Sequence, residues 1–219
     1  MPSWSQRRPS SGGFSLIELL VVAAVIALLL AVLLPALARA RLQAKIVRAR
    51  GELYQIAVGL TAYHDDWEAY PLAAEYCAAG GAEAENYNHL PPVLQERRYL
   101  SFRPEDIFNP GKTYKYAKPG IGWGNGALSW LGVWVPKDFP HDARDSDPAD
   151  DLCYWDERTS PVKFAVWSVG PAGPKDAIES SRLHYPVPKR TWYWSANGPY
   201  SEGVITIIRA KQGFIQSEP

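Results

Sequence analysis

An unbroken apolar run near the start of the chain limits what this sequence can fold into. From Leu19 to Ala38 there are twenty residues without a charged or hydrogen-bonding side chain. A helix needs about 20 apolar residues to cross a bilayer. Extended back to Phe14, the run covers residues 14–38, which we predict to form a transmembrane helix.

A cleaved secretory signal is the alternative explanation of this run. Arg7 and Arg8 precede it, and Ala36-Leu37-Ala38 fits a small-x-small cleavage site before Arg39. However, the run exceeds the ~7–15 apolar residues usual in such a signal. Glu18 also places a carboxylate at its start, and an ionised carboxylate would cost up to ~2.5–3.5 kcal/mol if it reached mid-bilayer. An acid in that position indicates a functional site that needs a cationic partner.

The string Gly13-Phe14-Ser15-Leu16-Ile17-Glu18, between a short basic leader and an apolar helix, resembles the class III signal of type IV prepilins and pseudopilins. The resemblance implies a leader of residues 1–13. It implies that prepilin peptidase cuts after Gly13 and methylates the amino terminus of Phe14. It further implies that Glu18 pairs with the terminal amine of Phe14 in a neighbouring subunit, which makes these two residues the predicted assembly site.

The apolar pattern changes after Ala38 but does not stop. Apolar residues then recur every three or four positions, as expected for one face of a helix: Leu42, Ile46, Ala49, Leu53, Ile56, Leu60 and Tyr63. We therefore predict an amphipathic helix over residues 39–64 that continues the membrane span into a soluble domain. Pro35, which matches a helix proline of the family, is predicted to kink the helix or weaken one turn. This continuity is a second argument against a cleaved signal.

The charge distribution separates two parts of the chain. The formal net charge is zero, so no general positive field favours nucleic acid as a partner. Residues 39–50 hold five cations and no acid, whereas 16 lysines and arginines face 22 acids from residue 51 onward. The positive-inside rule would keep the basic flank in the cytoplasm. The resemblance implies the opposite orientation, with the C-terminal domain outside the inner membrane, and our predicted orientation follows the resemblance.

We assign residues 65–219 to a globular domain and the whole chain to the α+β class. A long N-terminal helix is expected to pack on a small antiparallel sheet, as in pilins. Lys163–Val169 is a predicted strand, and Thr191–Trp194 with Val204–Ile208 a predicted hairpin. Three tryptophans, Trp123, Trp130 and Trp134, are predicted to fill the core, a ligand-stacking surface being the alternative.

Two turns near the C-terminus resemble those of major pseudopilins of the type II secretion system, a region where that family often holds calcium. Aspartates of the family pattern are replaced here by Ala172 and Val204. Loss of two carboxylates weakens an oxygen-ligand site. Calcium is thus the one candidate cofactor, with Asp176, Glu179 and Glu202 as the candidate ligands.

Two cysteines, Cys77 and Cys153, allow one disulfide in an oxidising compartment. Two unpaired thiols are the alternative, since nothing in the sequence fixes the distance between them.

The sequence therefore predicts a structural subunit of a type II secretion pseudopilus. The implied partners are like subunits, minor pseudopilins, prepilin peptidase and the secretion assembly platform of the inner membrane. A type IV pilin or minor pilin is the alternative within the family. A membrane-anchored enzyme or carbohydrate-binding module is the alternative from another class. The histidines lack metal-ligand spacing and no nucleophile–base arrangement is evident, so catalysis is not predicted.

Overall fold

The computed structural model describes residues 15–75, 88–173, 186–198 and 200–217. The chain divides into two units, Met1–Arg41 and Leu42–Pro219. The helices are α1 Leu16–Trp67 and α2 Val93–Glu96. The strands are β1 Ala74–Glu75, β2 Lys115–Ala117, β3 Gly120–Gly124, β4 Ala127–Leu131, β5 Val133–Pro136, β6 Asp151–Tyr154, β7 Val162–Ser168, β8 Ile205–Ala210 and β9 Gly213–Gln216. The α+β, pilin-like class is confirmed.

Helix α1 is continuous through Pro35 and ends at Trp67, three residues beyond the predicted end. Pro35 has no backbone N–H, so the usual hydrogen bond to the carbonyl of Ala31 is not made. The helix ends because Glu68 adopts a left-handed backbone conformation with φ of 55°. A residue in that conformation directs the chain away from the helix axis.

A four-stranded antiparallel sheet in the order β2-β7-β8-β9 forms the centre of the second unit. The strand predicted at 163–169 is confirmed as β7. One face of this sheet packs against the apolar face of α1 that the sequence predicted. This main core contains Leu53, Ile56 and Leu60 of the helix with Phe164 and Ile207 of the sheet, each at most 1% exposed.

The other face of the sheet builds a second core beneath the hairpin β5–β6. Successive residues of β7 alternate between the two cores, because side chains along a strand point to opposite faces. Phe164 and Val166 belong to the main core, whereas Ala165 and Trp167 belong to the second. A sheet covered on both faces explains why β7 and β8 are almost wholly buried and mostly apolar.

The predicted hairpin of Thr191–Trp194 with Val204–Ile208 is wrong. A short 3-10 helix occupies Lys189–Thr191, and Trp192 makes only an isolated parallel bridge to Val204. Strand β8 pairs instead with β7 and β9. Because β8 is buried, both of its edges need hydrogen-bonding partners, and two full strands meet that need better than one short irregular segment.

The prediction that Trp123, Trp130 and Trp134 fill the core is also wrong. They are 43%, 59% and 39% exposed. In β3 the inward positions are taken by glycines, so Trp123 and, on the paired strand, Trp130 lie on the outer face. In β5 Val133 and Val135 point inward, which leaves Trp134 outward.

Candidate assembly helix

Ser15 closes the start of α1 with two hydrogen bonds, one to the Glu18 carboxylate and one from the backbone N–H of Ile17. The backbone N–H of Ser15 donates to Oε2 of Glu18 at 2.8 Å, and the Ser15 hydroxyl accepts from the backbone N–H of Ile17 at 3.4 Å. This is a capping box, which satisfies backbone donors that a helix N-terminus otherwise leaves free. The Glu18 carboxylate therefore has a partner within its own chain.

The predicted partner of Glu18 is the amine of Phe14. Phe14 and the predicted cleavage position at Gly13 lie outside the described residues. The capping box nevertheless holds the Glu18 carboxylate within one turn of the predicted new terminus. The pairing between subunits stays a prediction.

No residue of α1 from Leu16 to Arg41 is buried. Its side chains include many large apolar groups that are more than half exposed, for example Leu16 at 82% and Val32 at 73%. Within the part of the chain that the structure describes, this is the one helix long and apolar enough to cross a membrane. Exposure on every side of an apolar helix is expected where lipid is the solvent.

From Leu42 onward α1 has a buried face, the inner stripe. It consists of Leu42, Ile46, Ala49, Leu53, Ile56, Ala57, Gly59 and Leu60. Gly59 allows a close approach: a Cβ at this position would lie 2.9 Å from the carbonyl oxygen of Tyr99 and 3.1 Å from Cδ2 of Leu100. Glycine is disfavoured within a helix, but packing requires it at this position.

The same part of α1 has a second face without charge, the outer stripe. Its members are all exposed and recur at spacings of three and four: Ala44, Val47, Gly51, Tyr54, Val58 and Ala62. At 3.6 residues per turn the outer stripe lies on the side of the helix opposite the inner stripe. Val47 is 67% and Val58 46% exposed, and no atom lies within 4 Å of a Cβ placed on Gly51.

Polar contacts fix the sides of the helix between the two stripes. Glu52 accepts from Nε of Arg48 at 2.7 Å and from the hydroxyl of Tyr114 at 2.8 Å. Burial, together with the bond to Glu52, raises the pKa of Tyr114, so this hydroxyl stays a donor. By contrast, Nε and Nη2 of Arg50 are buried and have no hydrogen-bond partner among the described residues. Desolvation lowers the pKa of Arg50, although Tyr193 partly opposes the shift.

The end of α1 is attached to the loop that follows α2. Nε1 of Trp67 donates to the hydroxyl of Tyr99 at 3.1 Å, and that hydroxyl donates to Oδ2 of Asp66 at 2.6 Å. The Arg97 guanidinium lies 4.0 Å from the centroid of the Trp67 ring, a cation–π contact. The side chains of Asp66 and Trp67 therefore attach the end of α1 to the globular domain.

The turn for which calcium was considered is held by a carboxylate that the sequence analysis missed. Asp106 is fully buried, and its Oδ1 accepts from the Ser168 hydroxyl at 2.7 Å and from the backbone N–H of Phe108 at 3.0 Å. Its Oδ2 accepts from the backbone N–H of Val169 at 2.9 Å. Burial raises the pKa of Asp106, against the effect of these donors. The only available signal was an acid two residues before Phe108, a weak mark of a local side-chain turn.

The described residues near this turn do not make a calcium site. Both oxygens of Asp106 already accept hydrogen bonds, and Glu202 is an exposed loop residue. Within the described ranges no group of three or more His, Cys, Asp or Glu is placed to hold a metal. Asp176 and Glu179 lie outside those ranges, so calcium binding stays a prediction.

The predicted disulfide is likewise untested. Cys153 lies in β6 opposite Trp134 of β5, whereas Cys77 lies outside the described residues.

Comparisons with known proteins agree with the sequence motif and the helix. A family model described as the prokaryotic N-terminal methylation motif matches residues 8–34. The type II secretion system core protein G of Pseudomonas aeruginosa is 33% identical over 121 residues, which cover 52% of this chain and 78% of that protein. No solved structure matches the chain.

Proposed function

The chain belongs to the pseudopilin and type IV pilin family, whose members are structural rather than catalytic proteins, and on that premise we propose that it is a subunit of a type II secretion pseudopilus. In this role it is not an enzyme. It is processed after Gly13, joins other copies through α1, and supports protein secretion as part of a short filament.

The observation that carries this proposal is the apolar surface that α1 leaves uncovered. Residues 16–41 have no buried position, and the outer stripe repeats an exposed, uncharged surface in the soluble half of the helix. Lipid covers the first surface while the subunit is in the membrane. In a filament, helices of other copies would cover both surfaces. Small residues such as Ala44, Gly51 and Ala62 suit close helix–helix contact.

Glu18 has a different role before and during assembly in this proposal. In the single subunit the Ser15 backbone N–H occupies one carboxylate oxygen, which lowers the cost of an acid near lipid. The second oxygen remains available to the amine of Phe14 of a neighbouring copy. Neither charge is stable alone in lipid, so their pairing favours the stagger that brings them together.

The proposed location is the inner membrane, crossed once by α1, with the globular domain on the outer side. Membrane anchoring agrees with the apolar helix and with the family. The proposed partners are like subunits, minor pseudopilins, prepilin peptidase and the assembly platform. No described feature favours nucleic acid.

A Glu18→Val variant tests the assembly role. We expect the variant to insert, to be processed and to fold normally, yet to form no filament. Val25→Ala, a neutral change in the same apolar segment, is the matched control and should assemble. Normal filaments from Glu18→Val would refute the role assigned to the carboxylate.

N-terminal sequencing of the mature chain separates processing from assembly. A mature chain that begins at methylated Phe14 supports the proposal, whereas one that begins near Arg39 indicates an ordinary secretory signal. Long surface filaments in electron micrographs would instead favour a type IV pilus.

Calcium binding remains a secondary proposal, dependent on Asp176 and Glu179. A rise in the melting temperature on calcium addition, reversed by a chelator, would support it. An unchanged melting temperature would refute calcium binding.

A further inference from the structure

The inner face of the hairpin β3–β4 combines glycines of β3 with the buried Leu131 of β4, whereas the outer face has large exposed apolar side chains. A Cβ at Gly122 would lie 2.5 Å from Cδ1 of Leu131 and 2.6 Å from the carbonyl oxygen of Ala73. A Cβ at Gly124 would collide with the Ser129 hydroxyl. The β3 positions of the inner face therefore have no room for a side chain.

The outer face forms an exposed apolar surface, the outer platform, made of Ile121, Trp123, Leu128 and Trp130. The register places Ile121 opposite Trp130 and Trp123 opposite Leu128. Their exposed fractions are 48%, 43%, 60% and 59% in sequence order. Four large apolar side chains in two cross-strand pairs, without a charge among them, mark an interaction surface.

Strand β4 is also an edge strand. The sheet order is β1-β3-β4, and among the described residues β4 pairs only with β3, over five consecutive residue pairs without a bulge. Its other edge, which no described strand covers, offers backbone N–H and C=O groups to another strand. Natural edge strands usually prevent such pairing with a charge, a proline, a bulge or very short length.

Strand β4, Ala-Leu-Ser-Trp-Leu, has none of these protective features. Three other edge strands have such a feature: Lys115 lies in β2, Pro136 in β5 and Asp151 in β6. The edge strand β9, Gly-Phe-Ile-Gln, has neither charge nor proline, but none of its side chains is a large exposed apolar group. Among the described edge strands, β4 therefore combines an unprotected edge with large exposed apolar side chains, which favours a partner at this edge.

We propose that β4 pairs with β4 of a second copy of this chain, antiparallel and centred on Ser129. This register is self-complementary. It places Leu128 opposite Trp130 of the partner subunit and Trp130 opposite Leu128 of the partner subunit. Both are aliphatic–aromatic cross-strand pairs, which stabilise sheets. The two outer platforms then form one continuous surface on a six-stranded sheet.

The size of the platform sets the strength of the contact. Four large side chains per copy are far fewer than the roughly 20–30 residues per side of a typical stable complex. The pair is therefore weak in dilute solution and forms where anchoring in one membrane raises the effective concentration. A two-fold contact closes at two copies and cannot propagate a filament. It is a lateral contact, independent of the proposed function.

The test uses the full chain reconstituted in lipid vesicles, with both native cysteines replaced by alanine and Ser129→Cys added. The side chains of residues paired at the two-fold centre are about 4.5–5.5 Å apart at Cβ, so mild oxidation should yield a disulfide-linked dimer. Adding Trp130→Lys should reduce the dimer yield at least tenfold, because two ammonium groups then meet apolar partners. Leu152→Lys, on another exposed apolar position of β6, is the matched control and should leave the yield unchanged.

Glu18→Val in the same background distinguishes this contact from filament assembly. The dimer should persist in that variant, whatever its effect on filaments. No cross-link above the level of the cysteine-free chain, or equal loss with Trp130→Lys and Leu152→Lys, would overturn the proposal. A platform that binds an extended peptide of another protein instead would give that negative result.

Discussion

The two parts of helix α1 both expose apolar residues, but the first part is predicted to lie in lipid and the second part in water. Residues 16–41 are apolar all round and none is buried, whereas residues 42–67 have an inner stripe in the protein core and an outer stripe that is exposed. In lipid, apolar surface needs no protein partner, so exposure there is the normal state. In water the outer stripe has no such solvent, so its exposure supports the proposed contact with helices of other copies.

The largest expected difference in stability is between substitutions in the inner stripe and substitutions in the outer stripe. Leu53 is fully buried, so Leu53→Ala should lower the free energy of unfolding by about 2–5 kcal/mol, through lost burial and the cavity left behind. Val47→Ala, at a position 67% exposed, should cost less than about 0.5 kcal/mol. Denaturant unfolding of both variants in the same detergent measures the difference. Equal losses would mean that the outer stripe is covered within the single chain.

The same substitution to alanine at Gly59 and at Gly51 also compares the two stripes. Gly59→Ala should destabilise the fold by about 1–3 kcal/mol, because the added methyl meets the backbone of Tyr99. Gly51→Ala should stabilise it by up to about 1 kcal/mol, since open space surrounds the site and alanine favours a helix. Thermal melts monitored by circular dichroism give both values. A stabilising Gly59→Ala would contradict the packing described here.

Arg50 is a charged residue that is partly buried beside the inner stripe, and its substitution tests the cost of that burial. Its Nε and Nη2 are buried without acceptors among the described residues, so Arg50→Met, which keeps the apolar stem, should raise the melting temperature slightly. Arg48→Met is the control. It removes the ion pair with Glu52 and should lower the melting temperature slightly, or leave it unchanged. A clear loss of stability in Arg50→Met would show that the guanidinium has an acceptor.

The smallest expected effect concerns pH and the turn held by Asp106. Burial raises the pKa of this carboxyl, so the folded state binds its proton more tightly than the unfolded state does. Protonation of Asp106 therefore adds to the stability of the fold. This stabilisation is fully present below the unfolded pKa of about 4, and it is lost as the pH rises through the folded pKa. Wild type should therefore lose more stability over this range than Asp106→Asn, which does not titrate. Parallel pH–stability curves for the two proteins would refute this.

Much of helix α1 was predictable because its signals are local. The capping pair Ser15 and Glu18, the apolar run and the spacing of the inner stripe each follow from residues within one or two turns of each other. The helix end was missed by three residues, because the contacts of Trp67 with Tyr99 and Arg97 come from a distant segment.

Less of the globular domain was predictable because its decisive contacts join distant residues. The expectation that three tryptophans fill the core used their size alone. It failed because smaller residues take the inward positions: glycines in β3, and Val133 and Val135 in β5. Asp106 and Ser168 are 62 residues apart, so no local pattern links them. The partners of β8 also depended on which strands were near enough to pair.

The sequence by itself determined the processing motif, the lipid-compatible span and the face of the helix that enters the core. Hydrophobic periodicity and charge act along the chain and are visible in it. Only the tertiary structure decided which apolar surfaces stay uncovered, namely the outer stripe of α1, the outer platform and the edge of β4 that no described strand covers. Whether a side chain stays exposed depends on which other segments pack over it, and the local sequence around that side chain does not specify those segments.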